Sequence, residues 1–157
     1  MGASEDITWV REHQNNMTDE NRIDELIADL QEGSMEVRRA ATDELGARGE
    51  AAIEPLLAVM REGDNDVRWY AARALVRIGE PAVEPLLRAM HAGEDRDFRR
   101  YAMAALAGIG APAVEPLIAV IEEGDPDLQP FAAMALCKIG EPAIDPILRL
   151  MYHPDPA

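Results

Sequence analysis

The 157-residue chain holds a single cysteine, Cys137. One thiol excludes an intrachain disulfide framework and any cysteine-rich metal site. Lysine is almost missing: Lys138 stands alone among 15 basic residues, the others being arginine. Aromatic side chains make up only 4% of the sequence, so a core has to be built from aliphatic residues. No apolar run approaches the roughly 18 residues that span a bilayer. The opening Met1-Gly2-Ala3-Ser4-Glu5-Asp6 is acidic and lacks the apolar centre of a signal peptide. A cytoplasmic setting is the expectation. Positive charge is scarce too: the formal net charge is -15, which repels nucleic acid and anionic membranes alike. Neither is an expected partner, and the charge itself reads first as a solubility device.

Patterns that carry chemistry are also missing. His13, His91 and His153 lie far apart, and no His–carboxylate pair recurs, whereas a di-iron site in a helical protein needs two such facing pairs. The glycines terminate helices and form no phosphate loop. Cys137 has no histidine near it in sequence and reads as a buried, inert thiol. Asp and Glu recur at regular cap positions, which argues for structural use over acid–base pairs. The expectation is no catalytic residue, no metal and no cofactor.

What the sequence does have is repetition, the first feature to decide architecture. Ile53-Glu54-Pro55-Leu56-Leu57 returns as Val83-Glu84-Pro85-Leu86-Leu87, Val114-Glu115-Pro116-Leu117-Ile118 and Ile144-Asp145-Pro146-Ile147-Leu148, at spacings of 30, 31 and 30 residues. A weaker copy without the proline starts at Ile23. Each unit holds two helical patterns. In helix A the apolar set Ile53, Leu56, Leu57, Met60 marks one stripe of a 3.6-residue helix. It recurs as Ile23, Leu26, Ile27, Leu30; as Val83, Leu86, Leu87, Met90; as Val114, Leu117, Ile118, Ile121; and as Ile144, Ile147, Leu148, Met151. Helix B repeats Val67, Ala71, Leu75, Ile78, then Phe98, Ala102, Leu106, Ile109, then Leu128, Ala132, Leu136, Ile139. The first unit has Val37, Ala41 and Leu45 but ends on Arg48. With 48% hydrophobic content dominated by Ala and Leu, helices are favoured.

Punctuation agrees. Gly33, Gly63, Gly93 and Gly124 close the A helices, and Gly49, Gly79, Gly110 and Gly140 close the B helices, a place that commonly needs a left-handed backbone. Ser34, Asp64, Asp95 and Asp125 are read as N-caps of the B helices, with Pro126 at the first helical position. Pro55, Pro85, Pro116 and Pro146 fall early in their A helices, after a tight turn. On this register Pro130 removes a hydrogen bond in the second turn of its helix.

The unit Asp66-Val67-Arg68, Ala71-Ala72, Ala74-Leu75, Ile78-Gly79-Glu80-Pro81-Ala82-Val83-Glu84-Pro85-Leu86 resembles the HEAT-like repeat first described in phycobilisome lyases, over roughly residues 20 to 152. The resemblance implies an all-α, right-handed α-α superhelix, a HEAT-type solenoid. It would hold about four full repeats (residues 21–152) with a C-terminal half repeat, between an N-terminal extension (1–20) and a short tail (153–157). Such repeats are specific for fold and nearly silent on function. The expected role is a protein-interaction module or scaffold that binds a partner protein or peptide. A bilin-lyase-like or tetrapyrrole-handling subunit is the alternative, and an unrecognised enzyme the third.

The resemblance also implies an Asp/Arg ladder between repeats, matched by Asp66/Arg68 and Asp97/Arg99, conservatively by Glu36/Arg38, and broken at Asp127/Gln129. It places the binding groove on the B helices. The candidate residues are Trp69, Tyr70, Arg73 and Arg77 in the second repeat, Arg100 and Tyr101 in the third, and Phe131, Met134 and Lys138 in the fourth. The first repeat supplies Arg39, Ala40, Asp43 and Ala47 to the same face. Aromatic rings and arginine are enriched at binding hot spots. Tyr70, Tyr101 and Phe131 share one repeat position, and their row either lines the groove or packs between B helices. Small residues at Ala104 and Gly108 would leave a central dip. At the ends, Ser4 to Gln14 reads as a lid helix with Ile7 and Val10 turned inward. The Ile144 helix lacks a B partner and would offer a dimerisation edge.

Overall fold

The computed structural model describes residues 20–92 and 95–152. The lid helix, Gly93 and the tail lie outside the described residues. Each of the four full units folds into an A and a B helix, and a fifth A helix follows. The A helices are α1 (20–32), α3 (Ile53–Glu62), α5 (Val83–His91), α7 (Val114–Glu123) and α9 (Glu141–Tyr152). The B helices are α2 (Met35–Arg48), α4 (Asn65–Ile78), α6 (Arg96–Ile109) and α8 (Gln129–Ile139). No strand occurs among the described residues. Within units, α3 packs on α4, α5 on α6 and α7 on α8, while the B helices stack in a row, α2 on α4 on α6 on α8. This is an α-solenoid, in which each unit depends on its neighbours for a core.

The stripes read from sequence are the core. Leu26, Leu56, Leu86 and Leu117 of the A helices are buried, as are Ala41, Ala71, Ala102 and Ala132 at the middle of the B stripe, and Leu45, Leu75, Leu106 and Leu136 one turn later. Alanine at mid-stripe is what lets two helix backbones approach while a leucine above fills the space. Where the first unit carries Arg48, an ion network replaces the apolar contact. Arg22 grips Glu44 with both ends of its fork, at 2.9 and 2.7 Å, and Arg48 adds a bond of 3.3 Å to the same carboxylate. The Arg22 fork, foremost, holds the Glu44 carboxyl below the usual carboxylate range.

The unit's corner has a fixed chemistry. Gly79, with φ of 84° and ψ of -138°, occupies backbone space open in practice only to glycine. A short 3-10 turn, Glu80–Ala82, follows, closed by the Ala82 amide donating to the Gly79 carbonyl at 2.9 Å. The same bond recurs from Ala113 to Gly110 and from Ala143 to Gly140. These alanines are fully buried, so a larger side chain has no room there. Gly63 differs from the left-handed expectation: its φ is -78°. It is glycine for steric reasons, since a Cβ would stand 2.7 Å from the Val59 carbonyl oxygen and 2.9 Å from Val67 Cγ1.

The caps of the first three B helices are as expected. Ser34, Asp64 and Asp95 accept from the amides of Val37, Val67 and Phe98 at 3.4, 3.0 and 2.7 Å. The fourth is not. Asp125 accepts instead from the Asp127 amide at 2.9 Å, a local turn, and α8 begins only at Gln129. The cause is Pro130. A helix starting at Pro126 would place that ring against the carbonyl four residues back and lose a bond. Starting at Gln129 puts Pro130 in the first turn, where no bond is lost.

In α2, α4 and α8 the residue after the first apolar position of the B helix ties A to B. Arg38 donates to the Gln31 carbonyl at 3.1 Å, and Arg68 to those of Met60 and Arg61 at 2.8 and 3.3 Å. Gln129 donates to the Ile121 carbonyl at 3.0 Å. Each satisfies carbonyls left open at a helix C-terminus. Arg68 also reaches Asp95 at 3.3 Å and Asp97 at 3.9 Å in the next unit, one rung of the expected ladder. Gln129 loses the charge and keeps the cap. Arg99, at the same register, has its Nε buried with no hydrogen-bond partner among the described residues.

Close approach of the B helices is set by glycine facing a larger residue. A Cβ on Gly46 would stand 2.5 to 2.7 Å from three carbons of Arg77, and one on Gly108 would stand 2.7 Å from Val76 Cγ2. Val76 thus packs closely on Gly108, which stays exposed. At the array's end, side chains that a neighbour covers elsewhere are open. Cys137 is exposed, against the expectation of a buried thiol, because α8 has no following B helix among the described residues.

Replacing Gly46 by Ala should lower stability by about 1–3 kcal/mol through overpacking against Arg77, despite the gain of about 1 kcal/mol that alanine brings in an open helix. Thermal unfolding checks this, and an unchanged or raised midpoint contradicts it. A second expectation concerns His91, whose ring bonds the Leu87 carbonyl at 2.8 Å and Glu123 at 3.1 Å. The Leu87 bond first, then Glu123, raises its pKa against the opposing effect of burial. The sign follows: the stabilisation is complete below the ordinary histidine value of about 6.5 and is lost as pH rises through the folded value. In an NMR titration the His91 midpoint should lie above that of an exposed histidine, and Glu123→Gln should lower it.

Candidate protein-binding face

Three rows of equivalent positions on the B helices point away from the core. They run through 39, 69, 100 and 130; through 43, 73, 104 and 134; and through 47, 77, 108 and 138. All are exposed. The period is that of a helix face, at steps of four residues. Trp69, Arg73, Arg77, Arg100, Met134 and Lys138 of the candidate set lie on these rows. The ring row does not. Tyr70 is only 7% exposed and belongs to the core, and Tyr101 and Phe131 are half-buried against it. Tyr70 also edges the cleft between α2 and α4.

The basic residues are spread one or two per unit. Arg77 is paired with Asp43 at 2.8 Å. Arg100 lies over the Tyr101 ring at 5.6 Å, and Arg73 over the Trp69 ring at 4.6 Å. Trp69 is 46% exposed. Its indole meets the Tyr70 ring edge-on, with centroids 4.9 Å apart and planes at 85°. Arg38 covers Tyr70 from α2 at 5.9 Å. A buried ring thus meets the indole edge-on and a guanidinium lies over it, an arrangement that orients the indole while leaving it half-exposed.

That indole stands on the wall of a cleft between α2 and α4. Its volume is about 340 Å³, and Arg39, Thr42, Asp43, Tyr70 and Arg73 complete the lining. A second hollow of about 450 Å³ continues past Arg73 to Val76 and Arg77. A third, of about 190 Å³, lies on the other side of Trp69 by Met35, Arg38 and Asp66. The candidate residues of the second repeat are therefore brought together, and those of the third and fourth stand apart from them. Thr42 was missed by sequence reasoning. Its hydroxyl bonds the Arg38 carbonyl at 2.7 Å, and it is buried; only its place one residue before Asp43 could have pointed to the cleft wall.

The cleft carries Arg39 and Arg73 against Asp43, with Asp66 nearby, so it suits a ligand of mixed or negative charge. It offers stacking and ion pairing. Among the described residues no group of three or more His, Cys, Asp or Glu is placed to hold a metal. No described helix is long and apolar enough to cross a membrane.

A family model of HEAT repeats matches residues 23–107 and, in a second overlapping stretch, 83–157. The chain belongs to the HEAT-repeat family, whose members are commonly protein-interaction scaffolds. It matches no curated protein.

Proposed function

We propose that this protein is an interaction module that holds an acidic or mixed-charge segment of a partner protein on its B-helix face, centred on the cleft between α2 and α4. One observation carries this reading: a half-exposed tryptophan, oriented by Tyr70 and capped by Arg73 at 4.6 Å, standing on the wall of a cleft of about 340 Å³. An indole left in water is unfavourable in the free protein, and tryptophan and arginine lead the residue types at hot spots. Arg39 and Arg73 supply local positive charge on a chain of net charge -15, so an acidic segment is steered to this cleft and repelled elsewhere. Arg77, Arg100, Met134 and Lys138 extend the face along the array for a longer ligand. The likeness of the repeat unit to phycobilisome lyases supports a second reading, a tetrapyrrole-handling subunit, for which a visible absorption band in protein purified from its host is the sign.

Tyr70 is core, so the test leaves it in place. The double variant Trp69→Ala with Arg73→Glu should keep wild-type helix content and unfolding temperature within a few degrees. It should lose at least tenfold in affinity, about 1.4 kcal/mol, for whatever partner the wild-type protein captures from its host. Capture at unchanged affinity would sink the proposal.

A further inference from the structure

The three hollows between α2 and α4 follow one another at a regular step. Their walls advance by four residues on both helices, from Met35 to Arg39 to Asp43 and from Trp69 to Arg73 to Arg77. Four residues of helix rise ~6 Å. The hollows differ in chemistry. The first, of about 190 Å³, is walled by Met35, which is 63% exposed, and by the Trp69 and Tyr70 rings. Its arginine is already committed, since Arg38 donates to the Gln31 carbonyl at 3.1 Å and lies over the Tyr70 ring. Asp66 makes the rim of this hollow acidic. In the second hollow Asp43 is taken by Arg77 at 2.8 Å, so Arg39 and Arg73 set the sign. An apolar hollow with an acidic rim thus stands one helical turn from a cationic one.

We propose that this groove reads a short motif in an extended segment of the partner: an apolar side chain for the first hollow and a carboxylate two residues away for the second. The proposal rests on the reading of the face as a protein-binding site and adds what that site selects. In an extended chain alternate side chains share a face and stand ~6.6 Å apart, close to the step between the hollows. The residue between them points to solvent. Exchanging the two side chains is unfavourable. A carboxylate in the first hollow meets Asp66, and an apolar group in the second strands two guanidinium ions from water. A helical ligand also repeats at steps of four residues, but the groove from Asp66 to Arg77 is only ~16 Å long. That length holds about eleven helical residues, too few for an isolated helix to keep its shape in water. An extended segment fills it with five residues or so and carries no such cost.

The probe is the peptide Gly-Ser-Leu-Ser-Glu-Ser-Gly with blocked ends, titrated into the full chain and followed by the NMR signals of α2 and α4. Saturable binding at those signals is expected. Serine in place of the peptide's leucine should weaken it about fivefold, the effect of half-burying a leucine. Glutamine in place of its glutamate should weaken it about threefold, the scale of exposed ion pairs. Setting the glutamate four residues from the leucine should bring no gain. Met35→Gln, at an exposed position where circular dichroism checks the fold, should bind the leucine and serine peptides alike. Absence of saturable binding overturns the proposal, as does equal binding of those two peptides by the wild-type chain. So does a leucine preference that survives Met35→Gln, or tighter binding at the four-residue spacing, which would assign the groove to a helix. A wild-type chain that sediments as a dimer, and separates on Trp69→Ala, would assign it to a second copy and overturn the proposal equally. The reading of the face is tested apart from this, by partner capture with the double variant at Trp69 and Arg73. If that variant loses the partner while the peptides are not distinguished, the face stands and only its proposed selectivity falls.

Discussion

Everything in this molecule depends on one contact, the stacking of each B helix on the next. An A helix alone has an apolar stripe on one side. Its B helix covers that stripe and in turn exposes a second one. Only another unit can cover the second stripe, so burial passes along the chain and never closes on itself. Ala41, Ala71, Ala102 and Ala132 keep the buried stripe of each B helix slim, and Leu45, Leu75, Leu106 and Leu136 one turn later fill the core. Gly46 and Gly108 extend the same logic to the groove side, each receiving a bulkier residue of the neighbouring helix. The capping bonds of Arg38, Arg68 and Gln129 then set how A and B lie within a unit.

Much of this was legible in the sequence because the relevant signals are local and repeated. The period of about 30 residues, the stripes, the corner glycines and the first three caps all follow from spacing and residue type. Where the reading departed from the structure, the deciding influence came from elsewhere. The start of α8 is a competition between Asp125 as a cap and Pro130 as an obstacle, and a helix can accommodate the proline only by starting late. The fate of the ring row turns on what stands opposite, and a helical period tells which face a side chain is on without telling what the next helix presents there. The burial of Cys137 is a question of position in the array, not of type: the same register is buried at Gly46 and half-buried at Val76 and Ala107, and opens only at the last B helix. Gly108 is a related case, since the space a Cβ would take there is met by Val76 of the adjacent unit.

The candidate site was legible by face and not by focus. The family resemblance assigned Trp69, Arg73, Arg77, Arg100, Met134 and Lys138 to one face, and all six are exposed on the B helices. What it could not supply was the grouping, in which only the second repeat's residues meet a cleft, against Thr42 and Asp43 of the first. The side of the array presents polar and aromatic groups held by structural contacts beneath them.

The central claim is that stability in this chain comes from neighbours, so that a helix is as stable as the contacts on both its sides. Repeat-resolved amide hydrogen exchange on the isolated protein tests it most directly. The account predicts the slowest exchange in α4 and α6, which have a B helix on each side, and exchange in α9 at least tenfold faster than in α5, although both begin on the same Glu-Pro-Ala turn and carry an equivalent apolar stripe. Equal protection in α5 and α9 would contradict it, since among the described residues a B helix covers the stripe of α5 and not that of α9.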